Sequence, residues 1–201
     1  MRKKIASARD VCIMSITGDT FSSENSDLQK ALELAYEIRV MLANPYGKGI
    51  VSRVQSLDSP EAMLQSYRQE TEVSIAYLRK LAAAGKKVKL KLYEEPPFWK
   101  LVVTGEYVWV QYCHEGLEVK TQPEYVFGLQ HDDPQRGFFA PFYNHFLNEW
   151  NAPRHPEFNF ETGELIYRNG DGNEILRTTF PPKAEEVRLA EGWTHLAVIN
   201  G

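Results

Sequence analysis

PPFWKLVVTGEYVWVQYC, residues 96–113, decides what kind of sheet this chain builds. Its two apolar runs, WKLVV and YVWVQYC, are separated only by Thr104-Gly105-Glu106, a spacing that suits a β-hairpin and leaves no room for a crossover. With Gly105-Glu106 as the turn, Lys100 lies opposite Gln111 and Phe98 opposite Cys113, and period-two alternation puts these four side chains on one face. Two readings of the lysine stand: a snorkelling residue at a sheet edge, or the cation of an anion pocket ringed by aromatics and a thiol.

Upstream of the hairpin, strands and helices alternate. VCIMSI (11–16) is an apolar run ended by Thr17-Gly18-Asp19 and reads as a buried strand followed by a loop. A helix opens at Asp27, with Leu28, Leu32, Ala35 and Tyr36 at helical spacing, and gives way at Glu37 to IRVMLANP, a strand closed by Pro45. YGKGI then reads as a Gly-rich loop. Ser59-Pro60-Glu61 marks a helix start, and Leu64, Tyr67, Thr71, Ile75, Leu78 and Leu81 form one stripe of a helix that stops at Gly85. KVKLKLYEE alternates apolar residues with lysines, so one of its faces is wetter.

Long crossovers of this kind imply parallel pairing. The hairpin, and a further strand at PEYVFGLQ (123–130), make the fold class α/β with a mixed β-sheet flanked by helices. GFFAPFYNHFLNEW supplies a helix with Phe139, Phe142, Phe146 and Trp150 on one stripe, and Trp150 is expected to be largely buried. After it, Pro153, His155 and Pro156 make a linker. GELIYRNGDGNEILRTTF then reads as two short strands around Asn169-Gly170-Asp171-Gly172, with WTHLAVI (193–199) as a third. The expected division is residues 1–152 as the α/β domain and 153–201 as a small C-terminal β-hairpin appendage packed on it.

At 201 residues and 43% apolar content the chain has enough for one full core. With 23 basic and 27 acidic residues, net charge −4, it lacks the cationic footprint that duplex nucleic acid or an anionic membrane demands, so neither partner is favoured. The start, MRKKIASARDVCIMSITGDTF, is too polar over Ala6–Asp10 and its apolar run too short for a targeting segment or a span. Cys12 and Cys113 each fall within an expected strand, which suits buried thiols in a reducing compartment, so a cytoplasmic location is expected.

In their order along the chain, IASARDVCIMSITGDTF, IRVMLANP, KVKLKLYEEPPFWKLVVTGEYVWV and FFAPFYNHFLNEWN resemble the phospholipase D superfamily over roughly residues 3–152, as a single-copy member with a degenerate signature. The resemblance implies a phospholipase D-like fold. Active members carry H-x-K-x4-D on the hairpin and a G-S-x-N-like segment after it, and two copies meet to build one site. One His attacks phosphorus, the other protonates the leaving group, and the lysines bind the non-bridging oxygens. Laid on this chain without gaps, the His position falls on Phe98, the Lys position on Lys100 and the Asp position on Gly105, while Cys113 and Glu115 fall where active members carry small hydroxyl and amide residues. Phenylalanine has no lone pair to attack phosphorus and no proton to give. Glu106 stands one residue out of step with the missing acid.

The resulting expectation is a non-catalytic binding or interaction module for a phosphorylated ligand such as a nucleotide, with Lys100, Gln111, Cys113, Glu115 and Thr17 at its site. Thr17 enters because α/β sheets commonly bind ligands at the carboxyl ends of their strands. The alternative is a phosphodiesterase whose rearranged site uses His114 or His131 in a homodimer. No metal or cofactor is expected. His131-Asp132-Asp133 are adjacent and followed by Pro134, as in a solvated turn, and Asp171-Gly172-Asn173 lacks the glutamate of a calcium loop, Pro182 standing at the twelfth position. Cys113 and His114, as strand neighbours, point apart. A homodimer is expected, because Phe98, Trp99, Tyr107, Trp109 and Tyr112 cannot all enter one core from two adjacent strands.

Overall fold

The computed structural model describes residues 9–22, 26–114 and 116–182; Glu115 and the expected strand at 193–199 lie outside the described residues. β1 (Asp10–Ser15) is an interior strand, pairing in parallel with β2 (Glu37–Ala43) and antiparallel with β4 (Trp99–Thr104). β2 pairs in parallel with β3 (Lys87–Tyr93), and β4 forms the hairpin with β5 (Tyr107–Tyr112). β6 (Tyr125–Gly128) closes one edge. The sheet is mixed, as the short hairpin spacing requires.

The tail continues this sheet. β7 (Glu157–Phe158) pairs with β3 through Lys91 and Glu157, and β8 (Glu164–Arg168) and β9 (Glu174–Thr179) extend it, among the described residues, to nine strands in the order β6-β5-β4-β1-β2-β3-β7-β8-β9. The linker before β7 is anchored: His155 is buried with Nε2 2.9 Å from Glu149, and Arg154 bridges Glu149 and Glu95 at 2.6 and 2.5 Å.

Alternation along the strands sorts the apolar residues into two cores. One face of the sheet, with Val11, Ile13, Val40, Leu42, Val102 and Trp109, packs against Leu28, Ala31 and Leu32 of α2 (Asp27–Leu34) and Ile75, Leu78 and Leu81 of α4 (Pro60–Ala83). The other face, with Cys12, Met14, Met41, Leu101, Val103 and Val110, packs against Ile50 and Val54 of α3 (Lys48–Val54) and Phe139 and Phe146 of α5 (Phe139–Asn151). Between β1 and α2 lies a single turn, α1 (Asp19–Ser22), whose Phe21 is fully buried in the first core. The five hairpin aromatics divide accordingly. Trp109 and Tyr107 join the first core, while Trp99 packs in the second, edge-to-face on Phe142 of α5.

Four details depart from the sequence reading. The helix opened by the Ser26 cap, whose hydroxyl accepts from the Gln29 amide at 3.0 Å, ends at Leu34, and Tyr36 is 66% exposed. The amides of Tyr36 and Glu37 both turn to the Arg9 carbonyl, so β2 pairing begins where helical spacing would have continued. The Gly-rich stretch after Pro45 is helix α3, not a loop. Gly49 permits it, because a Cβ there would collide with the backbone of Glu94 and Glu95. Trp150 is half-buried, stacked on Phe146 at 5.8 Å with the Lys91 ammonium 5.5 Å from its ring centre. α5 ends one residue later, so this ring sits at the margin of the core. Phe98 and Cys113, finally, do not share the face of Lys100. The Cys113 amide still donates to the Phe98 carbonyl at 2.9 Å, so the two stand opposite each other as the hairpin spacing predicts, but just beyond the ends of β4 and β5 Cys113 enters the second core and the Phe98 ring is exposed.

Truncation should rank the aromatic stripe of α5. Phe146→Ala, which empties a fully buried site, is expected to cost about 3–5 kcal/mol, and Trp150→Ala measurably less. Denaturation midpoints in the reverse order would place Trp150, not Phe146, at the centre of that core.

Candidate ligand-binding site

Where β1 ends, the chain turns out of the sheet through Ile16, Thr17 and Gly18. Gly18 has φ +81°, and a Cβ there would strike the Phe21 ring, so only glycine makes this turn without strain. The turn folds α1 back over the start of β4, where Lys100 stands. The Lys100 ammonium donates to Thr20 Oγ1 and lies 4.0 Å from the Asp19 carboxylate, with 14% of the side chain exposed. Burial with two polar partners distinguishes it from a residue snorkelling at an edge. The β4–β5 register pairs Lys100 with Gln111, as the two-residue turn at Gly105-Glu106 predicts.

The first half of α4 forms the facing wall. Met63, Ser66, Tyr67 and Glu70 recur at three- and four-residue spacing and therefore share one face. Glu70 accepts hydrogen bonds from Thr17 Oγ1 at 2.7 Å and from Ser66 Oγ at 3.0 Å, which fixes its carboxylate over the end of β1. A third wall comes from the segment after β5, whose 3-10 turn (Val119–Thr121) brings in Glu118 and Lys120, an ion pair at 2.5 Å. Together these walls enclose about 130 Å³.

Two side chains outside the cavity hold that third wall in place. Arg53 on α3 is buried and donates to the carbonyls of Cys113, His114 and Leu117 at 3.3, 2.9 and 2.9 Å. Gln111 donates to the carbonyls of Val119 and Gln122 at 3.4 and 3.1 Å. Gln111 thus positions the wall without lining the cavity.

Of the five residues that sequence brought forward, Lys100 and Thr17 line the cavity, Gln111 supports it, and Glu115 lies outside the described residues. Cys113 lies in the second core. Burial pushes its thiol up to about 11, against the opposing charges of Arg53 and Lys100, so at neutral pH it is a neutral SH and no nucleophile. Phe98 is 57% exposed, with its ring edge-to-face on Trp99 and Tyr112. Ser66 and Glu70 were not singled out in the sequence. Their only signal is polarity between Leu64, Tyr67 and Thr71, which an ordinary amphipathic helix also shows.

His131 and His114 lie outside the described lining of the cavity. His131 is on the loop after β6 with Nε2 3.0 Å from Glu106, in the hairpin turn at the opposite end of β4 from Lys100. The ring of His114 packs edge-to-face on Tyr112. The described lining of the cavity carries hydroxyls, the carboxylates of Asp19, Glu70 and Glu118, and the ammonium groups of Lys100 and Lys120, with neither imidazole nor thiol. Such a set can grip a polar molecule.

Neither a protein-family model nor a curated protein matches the chain. Among solved structures it is similar to phosphatidylserine synthase of Haemophilus influenzae Rd KW20, at 7% identity and a TM-score of 0.52, over 96% of this chain and 41% of that one. It is also similar to TrmBL2, an archaeal chromatin protein with a novel mode of DNA binding, at 14% identity and a TM-score of 0.40, over 74% of this chain and 46% of that one. The chain spans less than half the length of either protein. The likeness to the synthase concerns fold alone, and with the nine-stranded mixed sheet it gives this chain a phospholipase D-like α/β architecture.

Proposed function

We propose that this chain is a non-catalytic binding module on a phospholipase D-like fold, and that the Lys100 cavity takes a small phosphorylated molecule of the nucleotide class. The carrying observation is the contrast between Lys100 and Phe98. The lysine is sunk among hydroxyls and carboxylates, whereas the residue in the nucleophile's sequence position points its ring at Trp99 and Tyr112 on the outside. Lys100 and Lys120 suit a phosphate group. The three carboxylates oppose a bare phosphate and favour a ligand that also presents hydroxyl or amino donors, as the sugar and base of a nucleotide do.

A thermal-shift series over nucleotides and inorganic phosphate tests this. A ligand at a hundredfold its dissociation constant adds about 2.7 kcal/mol of stability. At least one nucleotide should raise the midpoint, phosphate alone should do so weakly, and Lys100→Ala should abolish both effects. Glu70→Gln should weaken the nucleotide without strengthening phosphate to its level. Absence of any nucleotide shift, or an unchanged shift in Lys100→Ala, contradicts the reading.

We also propose that the module self-associates. Phe98 and Phe138 remain 57% and 60% exposed, and β6, with exposed Tyr125 and Val126, has no strand on its outer side among the described residues. Exposed aromatics beside an unpaired edge form the kind of surface that a second subunit covers. Light scattering coupled to size exclusion at micromolar concentration should give twice the chain mass of 23.1 kDa, and Phe98→Asp should lower it. A strictly monomeric wild type contradicts the proposal.

A further inference from the structure

We infer that a second cavity, at the other end of β1 and on the other face of the sheet, binds a small carboxylate with an apolar body. This cavity measures about 390 Å³, within the usual range for small-molecule sites of roughly 300–1,000 Å³. Its lining includes Cys12 on β1 and Gly105 at the hairpin turn, so it lies roughly 15 Å along the strands from Lys100. The inference does not rest on the nucleotide reading of the first cavity.

The lining divides into an apolar floor and a cationic rim. Cys12, Val103 and Phe139 are buried and Leu129 is half-buried. Burial pushes the Cys12 thiol up to about 11, with Arg39 opposing, so the floor carries no charge at neutral pH. At the rim stand Arg9, Arg39 and Tyr143, with Asp10 as the one carboxylate of the described lining. Arg39 faces the Tyr143 hydroxyl as a hydrogen-bond partner, yet its Nε is buried with no partner among the described residues. A buried guanidinium N–H without an acceptor is costly, and a carboxylate is the acceptor whose two oxygens match the planar fork.

Charge sets the class of head group. Glu37, which also acts on Arg39, is tied to Lys87 at 2.9 Å, so among the described residues the rim balance is two arginines against Asp10. That single excess positive charge suits a monoanion, and the remaining carboxylate penalises a phosphate dianion. The floor demands an apolar body, because a fully hydrated ion gains nothing from Val103, Leu129 and Phe139. An aromatic or short aliphatic carboxylate satisfies both requirements.

Amide chemical-shift mapping on the full chain tests this with benzoate, benzamide and inorganic phosphate as probes. Millimolar benzoate should move the amides of Cys12, Val103, Gly105 and Leu129. Arg39→Met, which keeps the volume and removes the fork, should weaken binding roughly tenfold or more. Arg9→Ala, at an exposed position that carries little risk to folding, should weaken it by a smaller factor and decides the matter if Arg39→Met loses its dispersed spectrum. Benzamide and phosphate should bind at least tenfold more weakly than benzoate. The inference is overturned if benzoate leaves those amides unmoved, if both variants bind it as the wild type does, or if benzamide or phosphate binds equally well.

Discussion

The antiparallel pairing of β1 with β4, in which Met14 stands opposite Leu101, is the constraint on which the rest depends. β1 is covered on both faces, so its alternation is fixed by two cores at once, and β4 must follow in register. That register places Lys100 beside the end of β1, on the face where Thr17, Asp19 and Thr20 gather. A slip of one residue would send the ammonium into the core of Met14 and Leu101, where no described partner awaits it. Burying an unpaired charge costs several kcal/mol, so the pairing that builds the core also fixes the site.

Strand and helix positions were legible because each has a strong local cause. The apolar runs at 11–16 and 38–43, the Ser59-Pro60 start and the two-residue turn at Gly105-Glu106 all act over a few residues, and the structure follows them closely. What was not legible depends on partners distant in sequence. Gly49 looked like loop chemistry because its reason is the backbone of Glu94, 45 positions away in the fold's β3–β4 connection. Arg53 sits between Ser52 and Val54 with nothing nearby to mark it, yet it holds three carbonyls of the segment after β5. Glu70 likewise acquires meaning only when Thr17 arrives from β1. For Phe98 and Cys113, alternation was extended one residue beyond each strand end, and that residue decided which face they occupy.

The Lys100 cavity is electrostatically mixed, and this shapes what it can hold. In the described lining two ammonium groups and three carboxylates nearly cancel, so long-range steering of an anion is weak and recognition depends on direct contacts. The carboxylates are already engaged, Glu70 by two hydroxyls and Glu118 by Lys120, which orders the cavity before any ligand enters. The likeness to phosphatidylserine synthase adds a fold and no chemistry, since one fold supports many functions and the residues at the site decide among them.

The central claim is that the Lys100 cavity binds a phosphorylated ligand and leaves it intact. Phosphorus NMR of a dinucleotide phosphodiester incubated with the protein measures both halves together. The account predicts that the diester resonance shifts or broadens with wild type, returns to its free position with Lys100→Ala, and gives rise to no monoester signal in either sample. A monoester resonance that grows with wild type and is absent with Lys100→Ala would contradict it.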